Sequence, residues 1–374
     1  MRKDQINKSQ LLALIILFEV GSTTLFAIGI EAKQDAWIAI LIALVTGIGL
    51  LWVFTEIQSA FPDKNLAEIL NFVLGKWIAL PLILLYALSF FWTSSFILYE
   101  FSTSIVEYFL RDTPLVVIIF CILTVVVYSM LLGVEVIGRT AEIFLPWFSI
   151  FFVSIIILLL FSGDIKSEQL LPILEGGILP VLKTTPQVVN FPFGEMIIFL
   201  MYWCYVNNKQ IVRKISIIAV SISGFILMLT VITMISVLGV DITSRSPFPL
   251  LQVIRKINVG NFLQRVDAIG GMILLLGGYF KGLLYFNGSR LAIQTVFNIK
   301  QKHQQWLIIV LSICLLWYTH VYFDDFIFYR WAGLEINTKM VYPIFQIFIP
   351  VLLLIIIKLK VNIMRKNERD KKLC

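Results

Sequence analysis

The sequence predicts an all-α integral membrane protein: a single transmembrane domain of ten helices in two inverted five-helix repeats, the first and sixth helices broken. Three observations lead there. Of the 374 residues, 59% are hydrophobic and only 14% charged, which excludes a soluble fold. Apolar runs of about 20 residues, enough to cross ~30 Å of hydrocarbon as helices, recur along the whole chain, whereas a β-barrel would show short alternating segments. Two of these runs, in equivalent places in the two halves, are interrupted by proline, glycine or hydroxyl residues beside a glutamate.

The runs span approximately 9–31, 36–60, 78–108, 114–133, 143–162, 185–206, 211–240, 264–289, 305–323 and 340–358. Repeat one then covers about 9–162, repeat two about 185–358, and a basic tail 359–374 follows. The first run follows a charged leader but is long and has no clear small-residue cleavage site, so it reads as a retained helix. The net charge of +7 is concentrated in the tail and short loops, which is an orientation signal and not a nucleic-acid face. With the N-terminus cytoplasmic, the inner side collects Arg2, Lys3, Lys8, Lys64, Lys76, Arg139, Lys209, Arg213, Lys214, Arg290, Lys300, Lys302 and the tail. Both termini are then inside; the exception is the loop after the seventh run, with Arg245, Arg255, Lys256 and Arg265.

Three connections are more than turns. Residues 61–77, "FPDKNLAEILNFVLGKW", carry apolar side chains at helical spacing and predict a helix lying at the inner surface. The outer segments 164–187 and 243–262 are rich in Pro and Gly yet too apolar for free linkers, so they are expected to pack over the bundle.

The sixth run holds "NFPFGEM", with Glu195 near mid-membrane at ~1.5 Å per residue. Pro192 removes a donor, pushes Phe191 toward extended geometry and is followed by the permissive Gly194. A tolerated kink is one reading. A break lined by protein or ligand is the other, because free backbone groups in hydrocarbon are costly. The first run holds "LFEVGSTTLF", with Glu19 near the midplane and Gly21, Ser22, Thr23 and Thr24 behind it; close helix packing is the alternative reading here. Paired interruptions in corresponding helices favour a mid-membrane site of the inverted-repeat transporter kind. A half-helix restarting near Ser22–Thr24 would offer amide donors to a carboxylate, and carbonyls freed near Phe191 and Phe193 would suit an ammonium or hydroxyl group.

Other ionisable groups in the runs are Glu100 and Glu107, seven residues apart, and Asp267 and Lys281. Lys281 lies about 20 Å along its helix from Asp267, so its partner is expected on another span. Glu195, Glu19 and Glu100 qualify by depth, either as a permanent ion pair or as coupling groups. No catalytic motif is present. Only two histidines occur, and Cys121, Cys204, Cys314 and Cys374 show no metal or disulfide spacing, so no cofactor, metal site or catalysis is expected.

The segments "KDQINKSQLLALIILFEVGSTTL", "FPDKNLAEILNFVLGKWIA", "RDTPLVVIIF", "LLPILEGGILPVLKTT", "NFPFGEMIIFLMYW" and "FLQRVDAIGGMILLLGGYFKGLLYF" cover nearly the whole chain in order. Together they resemble the B-subunit family of spore germinant receptors, within the amino acid–polyamine–organocation transporter superfamily. The resemblance implies a ten-helix LeuT-like bundle in the spore inner membrane, working with A and C subunits. It implies a small-molecule germinant of amino acid or nucleoside class, bound at Gly21, Ser22, Thr23, Thr24, Phe191, Phe193, Gly194 and Glu195. Glu19, Glu100 and Lys281 remain as coupling or buried charges. An ion-coupled amino-acid permease is the alternative function. The lipid bilayer is an expected partner; nucleic acid is not.

Overall fold

The computed structural model describes residues 5–257, 267–323 and 325–360. Arg2, Lys3, Arg265, the side chain of Asp267 and the basic tail beyond 360 lie outside the described residues. The helices are α1 (Lys8–Gly21), α2 (Ala36–Ala60), α3 (Leu66–Leu74), α4 (Lys76–Tyr108), α5 (Leu115–Leu132) and α6 (Val134–Ser162). They continue with α7 (Ile178–Asn190), α8 (Val212–Arg245), α9 (Pro249–Lys256), α10 (Asp267–Val296), α11 (Gln304–Tyr322) and α12 (Phe326–Trp331). After α12 the chain stays helical to residue 360, through π-helical stretches Ala332–Val341 and Pro343–Phe348. Among the described residues, eight helices are long and apolar enough to cross a membrane. The two predicted runs they leave out, 185–206 and 264–289, fall on the broken segment after α7 and on α10.

Each long helix reverses the direction of the one before. The bundle therefore has a near end, where α1 begins, and a far end. Asn7 caps α1 by accepting from the Gln10 amide at 2.9 Å while the Gln10 side chain accepts from the Asn7 amide at 3.0 Å. The preceding Ile6 donates its N–H to the Tyr205 carbonyl at 2.9 Å, and its own carbonyl accepts from Asn207 at 3.0 Å. The start of α1 is thus stitched to the end of the segment that follows α7. The predicted surface helix in 61–77 is α3, capped by Asn65 with Glu68 and amphipathic, its Leu66, Ile69, Leu70 and Val73 buried.

Two boundaries differ from the sequence reading. The fifth helix begins at Val134 instead of about 143, because Glu135 and Arg139 pair at 2.6 Å along one exposed face and extend α6 to the near end. Only Gly133 (φ 95°) then separates it from α5, and Gly75 (φ 77°) alone separates α3 from α4. The last helix starts at Phe326 instead of about 340; the charges in 324–339 look like a loop, yet Asp325 caps α12 by accepting from the Phe328 amide at 2.6 Å.

At the centre, α10 packs against α4, α1 and α6. Small residues set the spacing: a Cβ on Gly21 would lie 2.5 Å from the Gly277 Cα, so α1 and α10 touch backbone to backbone. Ser94 and Ser289 donate across the α4–α10 seam to the carbonyls of Gly282 (3.1 Å) and Ala87 (2.8 Å). Gly21→Ala should therefore force α1 and α10 apart and lower the melting temperature of the purified protein by several degrees, a loss of roughly 1–3 kcal/mol. Gly49→Ala, where no atom lies within 4 Å of the added Cβ, should leave the melt unchanged or slightly raised.

Candidate functional site

Both interrupted helices stop at mid-span. After Gly21 the chain makes one 3₁₀ turn, Thr23–Leu25, and becomes extended at Phe26 (φ −99°, ψ 150°). The half-helix expected to restart near Ser22–Thr24 is only that single turn. In the sixth run α7 ends at Asn190, Phe191 is extended (φ −134°, ψ 108°), the Phe191–Pro192 peptide is cis, and a 3₁₀-helix runs over Phe193–Met201. Phe191 adopts the geometry that a following proline imposes. In both, an α-helix ends at mid-span and 3₁₀ geometry follows, for the 3 residues Thr23–Leu25 in one and the 9 residues Phe193–Met201 in the other.

The break carries Glu195 to α10. Glu195 Oε2 lies 2.5 Å from Lys281 Nζ, and its Oε1 accepts from the Tyr285 hydroxyl at 3.0 Å. Both partners are buried, at 1% and 0% exposure, so the pair is removed from water altogether. The ammonium also lies 4.4 Å from the centre of the Phe191 ring, 5.3 Å from that of Phe18, and 3.5 Å from Thr23 Oγ1. Of the three carboxylates within reach by depth, Glu195 is the one that pairs. Glu19 is buried in α1, and neither of its carboxylate oxygens has a hydrogen-bond partner among the described residues. Glu100 is buried in α4 and accepts from the Tyr329 hydroxyl at 2.8 Å. Glu107, seven residues on, is exposed and takes no part.

Beside the pair lies a cavity of about 170 Å³. Ser22, Phe191, Glu195, Glu100 and Lys281 line it, so five of the residues singled out in the sequence meet at one space. The others stand behind its wall. Gly21 is pressed on Gly277, Thr24 donates to the Gly21 carbonyl at 3.3 Å, and Phe193 fills the notch left by Gly47. Gly194 faces Gln346, and Thr23, which is not among the lining residues, accepts from Lys281 at 3.5 Å.

Sequence reasoning missed the rest of the wall that carries Glu100, formed by Thr93 and Phe96 of α4 and by Tyr329, Arg330, Asn337 and Tyr342. The aspartate cap before "FIFYRW" was the available signal that a helix starts there. This wall is tied to the break itself, since the Asn190 side-chain amide donates to the Thr338 carbonyl at 2.9 Å. A second, more polar cavity of about 1050 Å³ opens at the near end, lined among others by Glu68, Lys76, Tyr205, Asn287 and Arg290. Among the described residues, no three His, Cys, Asp or Glu side chains gather as a metal ion would need.

Comparison with known proteins agrees with this architecture. A solved structure of Mhp1, a nucleobase-cation-symport-1 family transporter closed around bromovinylhydantoin, superposes with a TM-score of 0.63 at 13% identity, covering 92% of this chain and 75% of that one. MhsT in complex with L-phenylalanine gives 0.61 at 12% identity, covering 95% of this chain and 99% of the other. These neighbours are transporters and share the LeuT-like fold. By sequence, the chain is 33% identical to spore germination protein KB of Bacillus subtilis (strain 168) over 372 residues, 99% of this chain and 98% of that protein. It is 23% identical to spore germination protein B2 of the same organism, over 82% of this chain and 84% of that one. The family model described as "Spore germination protein" matches residues 5–325. A match along nearly the whole length, on a transporter fold and with no enzyme among these neighbours, makes the chain a member of the spore germination protein family of germinant receptor B subunits.

Proposed function

We propose that this subunit senses a germinant by binding a small nutrient in the cavity at the two helix breaks and passes the change to the A and C subunits. The observation that carries the reading is the cavity itself: about 170 Å³, closed on one side by a buried ion pair and walled by both interrupted helices. Its size favours the smaller of the two nutrient classes. A cavity of about 150 Å³ holds one benzene molecule. A small amino acid has a comparable number of heavy atoms, whereas a nucleoside has about three times as many, which supports the amino acid class. MhsT, which carries L-phenylalanine, shares the fold and supports the class without specifying the ligand.

Orientation follows from charge. Lys8, Lys64, Lys76, Arg139, Lys209, Arg213, Lys214, Lys300 and Lys302 fall at the near end, which supports a reading with that end toward the spore core in the spore inner membrane and the cavity on the far side. A ligand acts here by binding the states of the bundle unequally. Both helix breaks and the segment after α12 touch the cavity, so its occupancy bears on all three at once.

The second reading, an ion-coupled amino-acid permease, is favoured by the near-end cavity. The first cavity is lined by Lys281 and the second by Asn287 and Arg290 further along α10, while the buried Tyr202 and Tyr285 line neither, an arrangement that would suit access from the two sides in turn. Uptake of labelled L-alanine or L-valine into membrane vesicles separates the readings: turnover typical of a permease, with deletion causing no germination defect, would refute the sensor role.

Two outcomes test the site. Ser22→Leu fills the cavity from α1 and should raise the nutrient concentration for half-maximal spore germination by tenfold or more while the protein still accumulates; an unchanged dose–response places the ligand elsewhere. Lys281→Met strands a buried carboxylate and should cost about 3–5 kcal/mol, whereas Lys281→Met with Glu195→Gln should recover most of the stability. Melting of the purified variants measures this, and a double variant no more stable than the single would show that the pair is not what the charges were balancing.

A further inference from the structure

Glu100 has a chemistry that the ion pair does not account for. It is 4% exposed, projects from the last third of α4 (Lys76–Tyr108) and lines the cavity. Its Oε2 is taken by the Tyr329 hydroxyl at 2.8 Å, while its Oε1 is buried with no hydrogen-bond partner among the described residues. The cation nearest in kind, Lys281, is held by Glu195 at 2.5 Å, so that carboxylate and that ammonium cancel each other. Besides Glu195 and the exposed Glu31, the cavity thus presents one buried carboxylate, half satisfied.

We propose that Glu100 recognises the ammonium group of the germinant and that Tyr329 is the positioning residue that presents its carboxylate. This rests on the cavity being the germinant site. An ammonium brings three donors and a full positive charge, and its hydrogen bonds to a carboxylate are about twice as strong as neutral ones. The Ser22 and Thr93 hydroxyls line the same space and take the donors that Glu100 does not. Arg330, next to Tyr329 in the chain, lines the same cavity and is the cation proposed for the carboxylate end of the same ligand. Glu31, the remaining acidic residue of the lining, belongs to the 3₁₀ segment between α1 and α2 and not to the wall that carries Glu100. The germinant class that results is a small primary amine, with an amino acid satisfying both ends, and not a sugar or a carboxylic acid.

The experiment uses the full chain, purified in detergent, with L-valine, its decarboxylated analogue isobutylamine and its deaminated analogue isovalerate as probes, and L-alanine, ethylamine and propionate as a smaller set. The amino acids and amines should raise the melting temperature of the wild type, and the acids should not. Glu100→Gln keeps the shape and an acceptor for Tyr329, and should weaken amine binding by tenfold or more with little change in the unliganded melt. Glu100→Asp should retain part of the binding, and Tyr329→Phe should weaken amines less than Glu100→Gln does. Equal amine binding by wild type and Glu100→Gln, preference for the acids, or no amine binding by the wild type would each overturn the proposal. Ser22→Leu keeps the two levels apart. If it abolishes binding that Glu100→Gln spares, the cavity stands and Glu100 is not the anchor; if it changes nothing, the cavity reading itself fails.

Discussion

A lysine ammonium at the centre of an apolar bundle must be matched by charge, and most of the architecture around α10 serves that match. Breaking such a pair leaves an uncompensated ion whose desolvation costs several kcal/mol. Lys281 therefore dictates where Glu195 must be, and an unbroken sixth helix would not bring Glu195 there in the same way. The 3₁₀ geometry after Pro192 has about 2.0 Å rise per residue and three residues per turn, so it re-aims the side chains of 193–201 relative to an α-helix. Tyr285, one turn along α10 from Lys281, holds the second carboxylate oxygen and fixes the rotamer. The aromatic faces of Phe18 and Phe191 enclose the ammonium from α1 and from the break.

That centre also explains why the two repeats are broken at matching places. Close contact of Gly21 with Gly277 lets α1 end directly against α10, and the end of α7 is held by Asn190 to the Thr338 carbonyl. Backbone groups freed inside a bilayer persist only where protein satisfies them or where they border a cavity. Here both conditions hold, and the cavity sits where the two breaks face each other.

Much of this was legible in the residues. Pro192, Gly194 and Glu195 together marked one break, and GSTT beside Glu19 marked the other, because both stand where uninterrupted apolar helix is expected. The depth of Lys281 excluded Asp267 as its partner, but one-dimensional depth left three glutamates equivalent; only the packing of α1, α4 and α10 separates them. Gly21, Phe193 and Gly194 were drawn to the site by proximity in sequence, whereas each meets a neighbouring helix instead of the cavity. Composition concealed the wall after α12, since charges at Arg330, Glu335 and Lys339 break the apolar run while the helix continues through them. Polar residues that line a buried space look, in sequence, like a loop.

The single-glycine joints at Gly75 and Gly133 have a mechanical meaning. Both lie at the near end, where the start of α1 is also fastened to residues 205–207. At the far end the chain runs 14 residues between α1 and α2, and 15 between α6 and α7. One residue spans less than ~4 Å, so helices joined by it cannot part at that end, whereas the longer far-end connections are held by contacts instead, Lys166 donating to the Ser236 carbonyl and Leu174 to the Asp35 side chain. At the near end α5 and α6 therefore move as one body about Gly133, and a change in their relative angle has to pass through the backbone of that single residue.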